Sequence, residues 1–398
     1  MFSKAYIPFR GYYSSPFSRW QGSFQYENSI ELGAKTARRW LEEKNINPEI
    51  FDYFLLGKTV GQKHTFYSAP WAAAMVGAGD IPGLHVPQAC STSTTCLNLA
   101  AMNIEVGINN VVFSLMTDRC SNGPHTIWPN PLGPGGEVIH ENWLMDNFNY
   151  DPWGRQPMIQ TAENVVKEAG GITKEDCDEL SLRRYEQYMQ SLENDREFQK
   201  RYMFPVESLV SKKKTQTVDA DEGIPPTTKE GVERLKPVLP DGVHSFAAQT
   251  HPADGNCAII VTTKEKAQEL SDDSNIKIQI ISYGYSRAPQ ARMAMAPVPA
   301  ASMALQNAGL DISDMKSIKT HNPFAANDLY FAREFNIDVM NFNNYGSSLI
   351  FGHPQGPTAG RCIIEMIEEL VVLGGGYGLF TGCAAGDTGA AMIIKVDT

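Results

Sequence analysis

WLEEKNINPEIFDYFLLG (residues 40–57) and ALQNAGLDISDMKSIKTH (residues 304–321) follow one plan. Each reads as the end of an amphipathic helix, a polar turn and an apolar strand. Laying Ile46 on Leu310 gives an offset of 310 − 46 = 264, and Cys90 lies 353 − 90 = 263 residues before His353. A chain that repeats its plan and places a thiol and an imidazole at matching points presents a nucleophile and its base.

Working outward, residues 1–120 form a first half. It holds a helix from Ser29 to Lys44, the strand FDYFLLG, the segment LHVPQAC, an apolar helix from about Ser91 to Val106 and the inner strand NNVVFSLM. Residues 245–398 repeat the order. A helix near Pro299–Ala308 precedes MKSIKTH, VMNFNNYG and a loop carrying His353, then the apolar helix CIIEMIEELVVL, YGLFTG and AAMIIKV. This alternation, met twice, predicts a duplicated α/β layered fold with helices between two mixed sheets. Residues 121–244 differ: Trp128, Trp143 and Trp153 stand among Pro and Gly, and a charged helix follows from Lys174 to Lys200. They read as an inserted loop domain covering the site.

The net charge of −11 argues against non-specific nucleic-acid binding. No apolar run approaches the ~20 residues that span a bilayer, and the N-terminus lacks the apolar stretch of a secretory peptide. The cysteines number seven, an odd count with no CxxC pair, which fits reduced thiols in a cytoplasmic protein. No two Cys or His show ligand spacing, so no metal site is expected. The run Lys212–Lys214 reads as a solvated loop.

Cys90, in VPQACSTSTTC, sits where a strand turns into a buried helix, and the helix amides should favour a thiolate there. His353, in GHPQGPTAG, opens the equivalent helix. Cys383, in TGCAAGDTG, precedes a loop of minimal bulk that lets a substrate approach the backbone. A second thiol near the first suits proton exchange at carbon. His321 ends the strand matching FDYFLLG and could orient a water or an oxyanion.

Together these residues resemble the thiolase superfamily, over essentially the whole chain. ACSTSTTCL is similar to the segment of the acyl-accepting cysteine, PMIQTAENV to the helix opening the thiolase loop domain, and GHPQGPTAGR and TGCAAGDTG to the histidine and second-cysteine motifs. Ketoacyl synthases carry His or Asn where this chain has Cys383. The resemblance implies acyl transfer from a 3-oxoacyl-CoA, with coenzyme A as co-substrate. Cys90 would be the nucleophile, His353 its base and Cys383 the proton donor to carbon. It further implies that the amides of Cys90 and Ala385 bind one oxyanion, that His353 and His321 with a water bind the thioester oxygen, and that Thr250 contacts coenzyme A.

Departures from the common motifs bear on the substrate. HNPF (His321-Asn322-Pro323-Phe324) replaces Asn-Glu-Ala-Phe, its first His resembling the sterol-carrier-protein type. Tyr345 replaces an asparagine, and Ala384-Ala385 replace a residue-Gly pair. With Asn322 and Tyr345 set around the acyl site, these changes imply a branched or aromatic acyl group, as in the benzoylsuccinyl-CoA thiolase subgroup, whose members work with a small zinc-ribbon/OB-fold partner. The resemblance also implies a homodimer or a dimer of dimers, pairing through the inner strand near Cys90. Competing readings are a retro-aldolase of the steroid side-chain type, using Tyr345, and a catalytically silent CoA-binding subunit.

Overall fold

A computed structural model describes residues 1–398. The helix Ser29–Glu43 starts at Asn28, whose side chain accepts the N–H groups of Ile30 and Glu31. It buries Ile30, Ala34, Ala37, Trp40 and Leu41 against the strand Tyr53–Gly57 and its neighbours. That strand runs parallel to Gly83–Val86 on one side and to Val111–Arg119 on the other. Val111–Arg119 pairs antiparallel with Ala253–Thr262, without a bulge from Val111↔Thr262 to Arg119↔Asp254.

The second half repeats this. After the helix Pro297–Ala308, the strand Met315–His321 lies parallel to Gly376–Ala384, which pairs antiparallel with Thr388–Asp397. Lys277–Arg287 completes that sheet. The repeat fixes corresponding positions: the inner strands begin at Val111 and Gly376, 376 − 111 = 265 residues apart. At the same spacing, Asp118 facing Gly255 corresponds to Cys383 facing Gly389.

The expected two sheets are joined into one eleven-stranded sheet. Tyr6 pairs with both Thr262 and Gln279, so the N-terminal strand Tyr6–Ile7 bridges the halves. The helices Thr92–Glu105 and Thr358–Val372 pack on each other and on strands of both halves. Thr358–Val372 is not the uniformly apolar helix expected. Arg361, Glu365, Glu368 and Glu369 are buried on it, each with a partner.

One boundary moves. The sequence placed residues 245–398 in the second half, yet Ala253–Thr262 is hydrogen-bonded along the first half's inner strand and belongs to its sheet. The insertion thus leaves after Arg119 and returns at Ala253. It contains an exposed hairpin (His125–Pro129 with Val138–Asn142), the helices Met158–Ala169 and Lys174–Ser191, and a second hairpin with exposed Lys212–Lys214 at its turn. Two fully buried ion pairs hold it to the second half: Arg184–Asp328 at 2.9 Å and Asp221–Arg361 at 2.6 Å. The guanidinium of Arg361 also lies over the rings of Phe17 and Phe351.

Removing one member of such a pair strands the other charge in a dry site. Arg184→Met is expected to cost about 3–5 kcal/mol, read as a lowered midpoint of urea unfolding. A midpoint unchanged from wild type would show that the pair does not anchor the insertion.

Candidate active site

Cys90 sits in a single 3-10 turn, Ala89–Ser91, between the edge strand Gly83–Val86 and the helix Thr92–Glu105. Ala89 takes a positive φ of 44°, which turns the chain sharply enough to present the next residue. Thr92 locks the turn: its Oγ1 accepts the Gln88 N–H and donates to the Ala89 carbonyl. The matching loop of the second half presents His353. Gly352 has φ +90°, and a Cβ there would lie 2.7 Å from the His251 ring, so this position needs glycine. The His353 N–H donates to the His251 carbonyl at 2.8 Å.

The two loops meet as the repeat implied. His353 Nε2 lies 3.0 Å from Cys90 Sγ, and its Nδ1 lies 2.6 Å from Thr358 Oγ1. With Nδ1–H donated to Thr358, Nε2 faces the thiol as an acceptor. Gln355, two residues on, places Oε1 3.6 Å from the same sulfur. Asp118 ties the His353 loop to the first half: its carboxylate accepts the N–H groups of Gly356 and of Thr59 and Val60, which follow the strand Tyr53–Gly57. Ser93 donates its hydroxyl to the Gly356 carbonyl.

Cys383 ends the inner strand Gly376–Ala384 and receives a hydrogen bond from Asn327 Nδ2 at 3.2 Å. The Ala385 amide is directed at Cys90 Sγ, as an oxyanion donor would be. The His321 ring lies 4.2 Å, centroid to centroid, from that of His353. Ser348 Oγ accepts from the Asn322 N–H and donates to Asn322 Oδ1, so it accepts a hydrogen bond from His321 Nδ1–H, 2.8 Å away. His321 Nε2 is then a bare lone pair, buried and without a protein partner.

Burial governs the charge states. It pushes the Cys90 thiol up to about 12, against the opposing Ala385 amide, and pushes Cys383 well above the ordinary thiol range. It lowers His321 to about 3 and drives His353 well below its usual value, with His321 and His251 adding to the effect. The resting pair is therefore a neutral thiol facing a neutral imidazole. The thiolate expected from the helix terminus is outweighed by desolvation.

Other expected residues land elsewhere. Asn322 is spent within the protein, donating to Asp328 and Ser347 and accepting from Ser348 and Leu349. It positions Ser348, and through it His321, rather than touching a substrate. Tyr345 stacks on Phe198 of the insertion at 3.6 Å between ring centroids. Thr250 donates its hydroxyl to the Ser348 carbonyl. Its neighbours Gln249 and His251 line a cleft of about 310 Å³ with Ile224, Phe246 and Leu349. Cys90, His321 and His353, which no spacing rule connects, converge from three separate segments with their candidate ligand atoms within 4.8 Å of one another. Asp118, Asn327, Gln355 and Ser348 went unread in the sequence.

Comparison with known proteins places the geometry. Residues 11–265 match the thiolase N-terminal domain and residues 274–396 the thiolase C-terminal domain. The chain is 27% identical to the mitochondrial 3-ketoacyl-CoA thiolase of Homo sapiens, over 96% of each chain. It is also 27% identical to a probable acetyl-CoA acetyltransferase of Mycobacterium leprae, over 96% of this chain and 97% of that one. The crystal structure of the human mitochondrial enzyme superposes with a TM-score of 0.90 at 26% identity, covering 98% of both chains. Its complex with CoA gives 0.89 at the same identity and coverage.

A thiol held near 12 reacts only through a partner that takes its proton. His353→Ala is expected to slow iodoacetamide labelling of Cys90 at pH 7 by about 10²–10⁴, measured by peptide mass. In that variant the rate should keep climbing with pH past pH 10, the side on which a raised thiol ionises. Levelling off near pH 10, where a thiol of ordinary pKa about 8.5 is almost fully ionised, would defeat the buried-pair picture.

Proposed function

The chain belongs to the thiolase family and is an acyltransferase, and we propose that Cys90 carries the acyl group of a 3-oxoacyl-CoA while coenzyme A is exchanged around it. The observation that carries this reading is the 3.0 Å approach of His353 Nε2 to Cys90 Sγ, with a second thiol and the Ala385 amide beside it.

His353 Nε2 takes the Cys90 proton as the sulfur attacks the 3-oxo carbon. The resulting oxyanion receives the amides of Cys90 and Ala385. The C2–C3 bond breaks, and the Cys383 S–H supplies the proton that C2 needs, releasing a shorter acyl-CoA. The enolate formed on the way bears negative charge on the thioester oxygen, which faces imidazolium His353 and a water. That water donates one hydrogen to the lone pair of His321 Nε2 and the other to the oxygen. Coenzyme A then enters and gives its thiol proton to the Cys383 thiolate. Its sulfur takes the acyl group, and Cys90 recovers its proton from His353. Every proton returns to its starting group, so the same path in reverse is a Claisen condensation.

The cleft lined by Gln249 and His251 is the entry for the pantetheine arm in this reading, with the Thr250 hydroxyl turned instead to the Ser348 carbonyl. A branched or aromatic acyl group draws no support from contacts at the thiols. Trp128 donates to Glu141 on the exposed hairpin, Trp143 packs with Val60, Cys120 and Leu144, Trp153 lies near Arg287, and Tyr345 is stacked on Phe198. The same stacking removes Tyr345 from a retro-aldol role.

A homodimer would form through the edge strand Gly83–Val86, where Leu84 is 45% exposed and Trp71 is also exposed. The exposed hairpin with Ile127, Leu132 and Ile139 offers a surface for a dimer of dimers or a small zinc-ribbon/OB-fold partner. Seven free, buried cysteines suit a reducing cytoplasmic setting.

Intact-protein mass spectrometry over a panel of 3-oxoacyl-CoAs should show an adduct on Cys90 whose mass identifies the acyl group. Cys383→Ala is expected to keep accepting an acyl group from a simple acyl-CoA, while carbon–carbon cleavage falls by about 10²–10⁴. Cleavage surviving Cys90→Ala would overturn the assignment and favour aldol chemistry. An intact enzyme never acylated would favour a silent subunit.

A further inference from the structure

We propose that Cys90, His321 and His353 form a binding site for zinc that locks the nucleophile in an unreactive state. Tetrahedral zinc with Zn–S of about 2.3 Å and Zn–N of about 2.0 Å places its ligand atoms roughly 3.3–3.6 Å apart. Cys90 Sγ and His353 Nε2 are already 3.0 Å apart, and the three ligand atoms lie within 4.8 Å of one another. A modest tilt of the His321 ring closes the remaining gap.

Two independent features mark this as more than a thiol beside an imidazole. First, His321 Nε2 is a buried lone pair with no protein partner, on a residue only 1% exposed. Second, Nδ1 of each imidazole has a hydroxyl partner, which leaves Nε2 to face a metal. Ser348 holds Nδ1 of His321 and Thr358 holds Nδ1 of His353, so both Nε2 atoms turn inward. Hydroxyl or carboxylate partners on the far ring nitrogen are how proteins orient metal-binding histidines.

Binding is a ligand exchange with no redox step. Zinc replaces the proton of the Cys90 thiol, which leaves to solvent, and both histidines donate as neutral bases. Three protein ligands leave the fourth position to water. Zinc and an acyl group then compete for the same sulfur, so metal availability sets the fraction of enzyme able to start turnover. The site depends on three side-chain positions and not on the acyl group transferred.

The test uses the full-length chain, freed of metal by a chelator. The exposed His125–His140 pair, whose ring nitrogens lie 2.9 Å apart, could also take metal, so titrations are run in a His140→Ala background. Cobalt(II) should bind in one equivalent with the intense visible absorption of a tetrahedral thiolate complex, and zinc should displace it. Zinc should also stop iodoacetamide labelling of Cys90. Cys90→Ser should abolish the cobalt spectrum, and His321→Asn should weaken binding at least about tenfold, with near-ultraviolet circular dichroism verifying the fold of each variant. Equal affinity in His321→Asn would overturn the three-residue site. Labelling of Cys90 unaffected by 100 equivalents of zinc would overturn the proposal outright.

Discussion

The carboxylate of Asp118 is the joint on which the site depends. Its oxygens accept N–H groups from Thr59 and Val60, which follow a strand of the first half, and from Gly356, in the His353 loop of the second. A buried carboxylate is costly unless its lone pairs are met, and here backbone donors from both halves meet them. Burial still pushes Asp118 up to about 7, so the donors offset the desolvation only in part. The His353 loop is thereby held against the first half, and Ser93, just past Cys90, adds a hydroxyl bond to the Gly356 carbonyl that brings the Cys90 turn into the same register. The thiol–imidazole distance follows from that register.

A second consequence of burial is that the reacting groups rest neutral. A thiol and an imidazole, each desolvated, store no charge until a carbonyl arrives to receive it. In the proposed reaction the amides of Ala385 and Cys90 and the lone pair of His321 stand ready where charge would develop, so little reorganisation would accompany it. The positioning extends outward. Arg184 binds Asp328, Asp328 receives Asn322, Asn322 fixes Ser348, and Ser348 sets the tautomer of His321. An insertion that contributes no reacting atom still orients one.

Much of this was legible in the sequence because duplication leaves a record in spacing. Cys90, His353 and Cys383 were found from their settings, and the strands and helices of the two halves from their periodicity. Asp118 lay just out of reach: the sequence offsets of 264 and 263 carry Cys383 back to Arg119 and Cys120, and only the strand register, at 265, gives 383 − 265 = 118. Gln355, two residues past His353 inside a Gly-Pro-rich loop, carried a weaker signal. Asn327 and Ser348 carried none, because their roles arise from contacts between segments distant in the chain. The metal-ligand trio escaped for the same reason: local spacing rules see ligands on one element, and these come from three. Tyr345, read as a substitution beside the acyl site, is stacked on Phe198 of the insertion, a contact no local motif could reveal. The helix CIIEMIEELVVL looked apolar because its acids fall at positions that face partners on other elements, Tyr12 and Ser317 among them.

The way the insertion is attached has a practical consequence for redesign. All four of Cys90, His321, His353 and Cys383 stand on the duplicated scaffold, so a loop domain from another source could be grafted between Arg119 and Ala253 while the proposed reaction machinery stays in place. The graft must bring its own equivalents of Arg184 and Asp221. Without them Asp328 and Arg361 would be left as uncompensated buried charges, and the transplanted domain would disturb the histidine it was meant to leave alone.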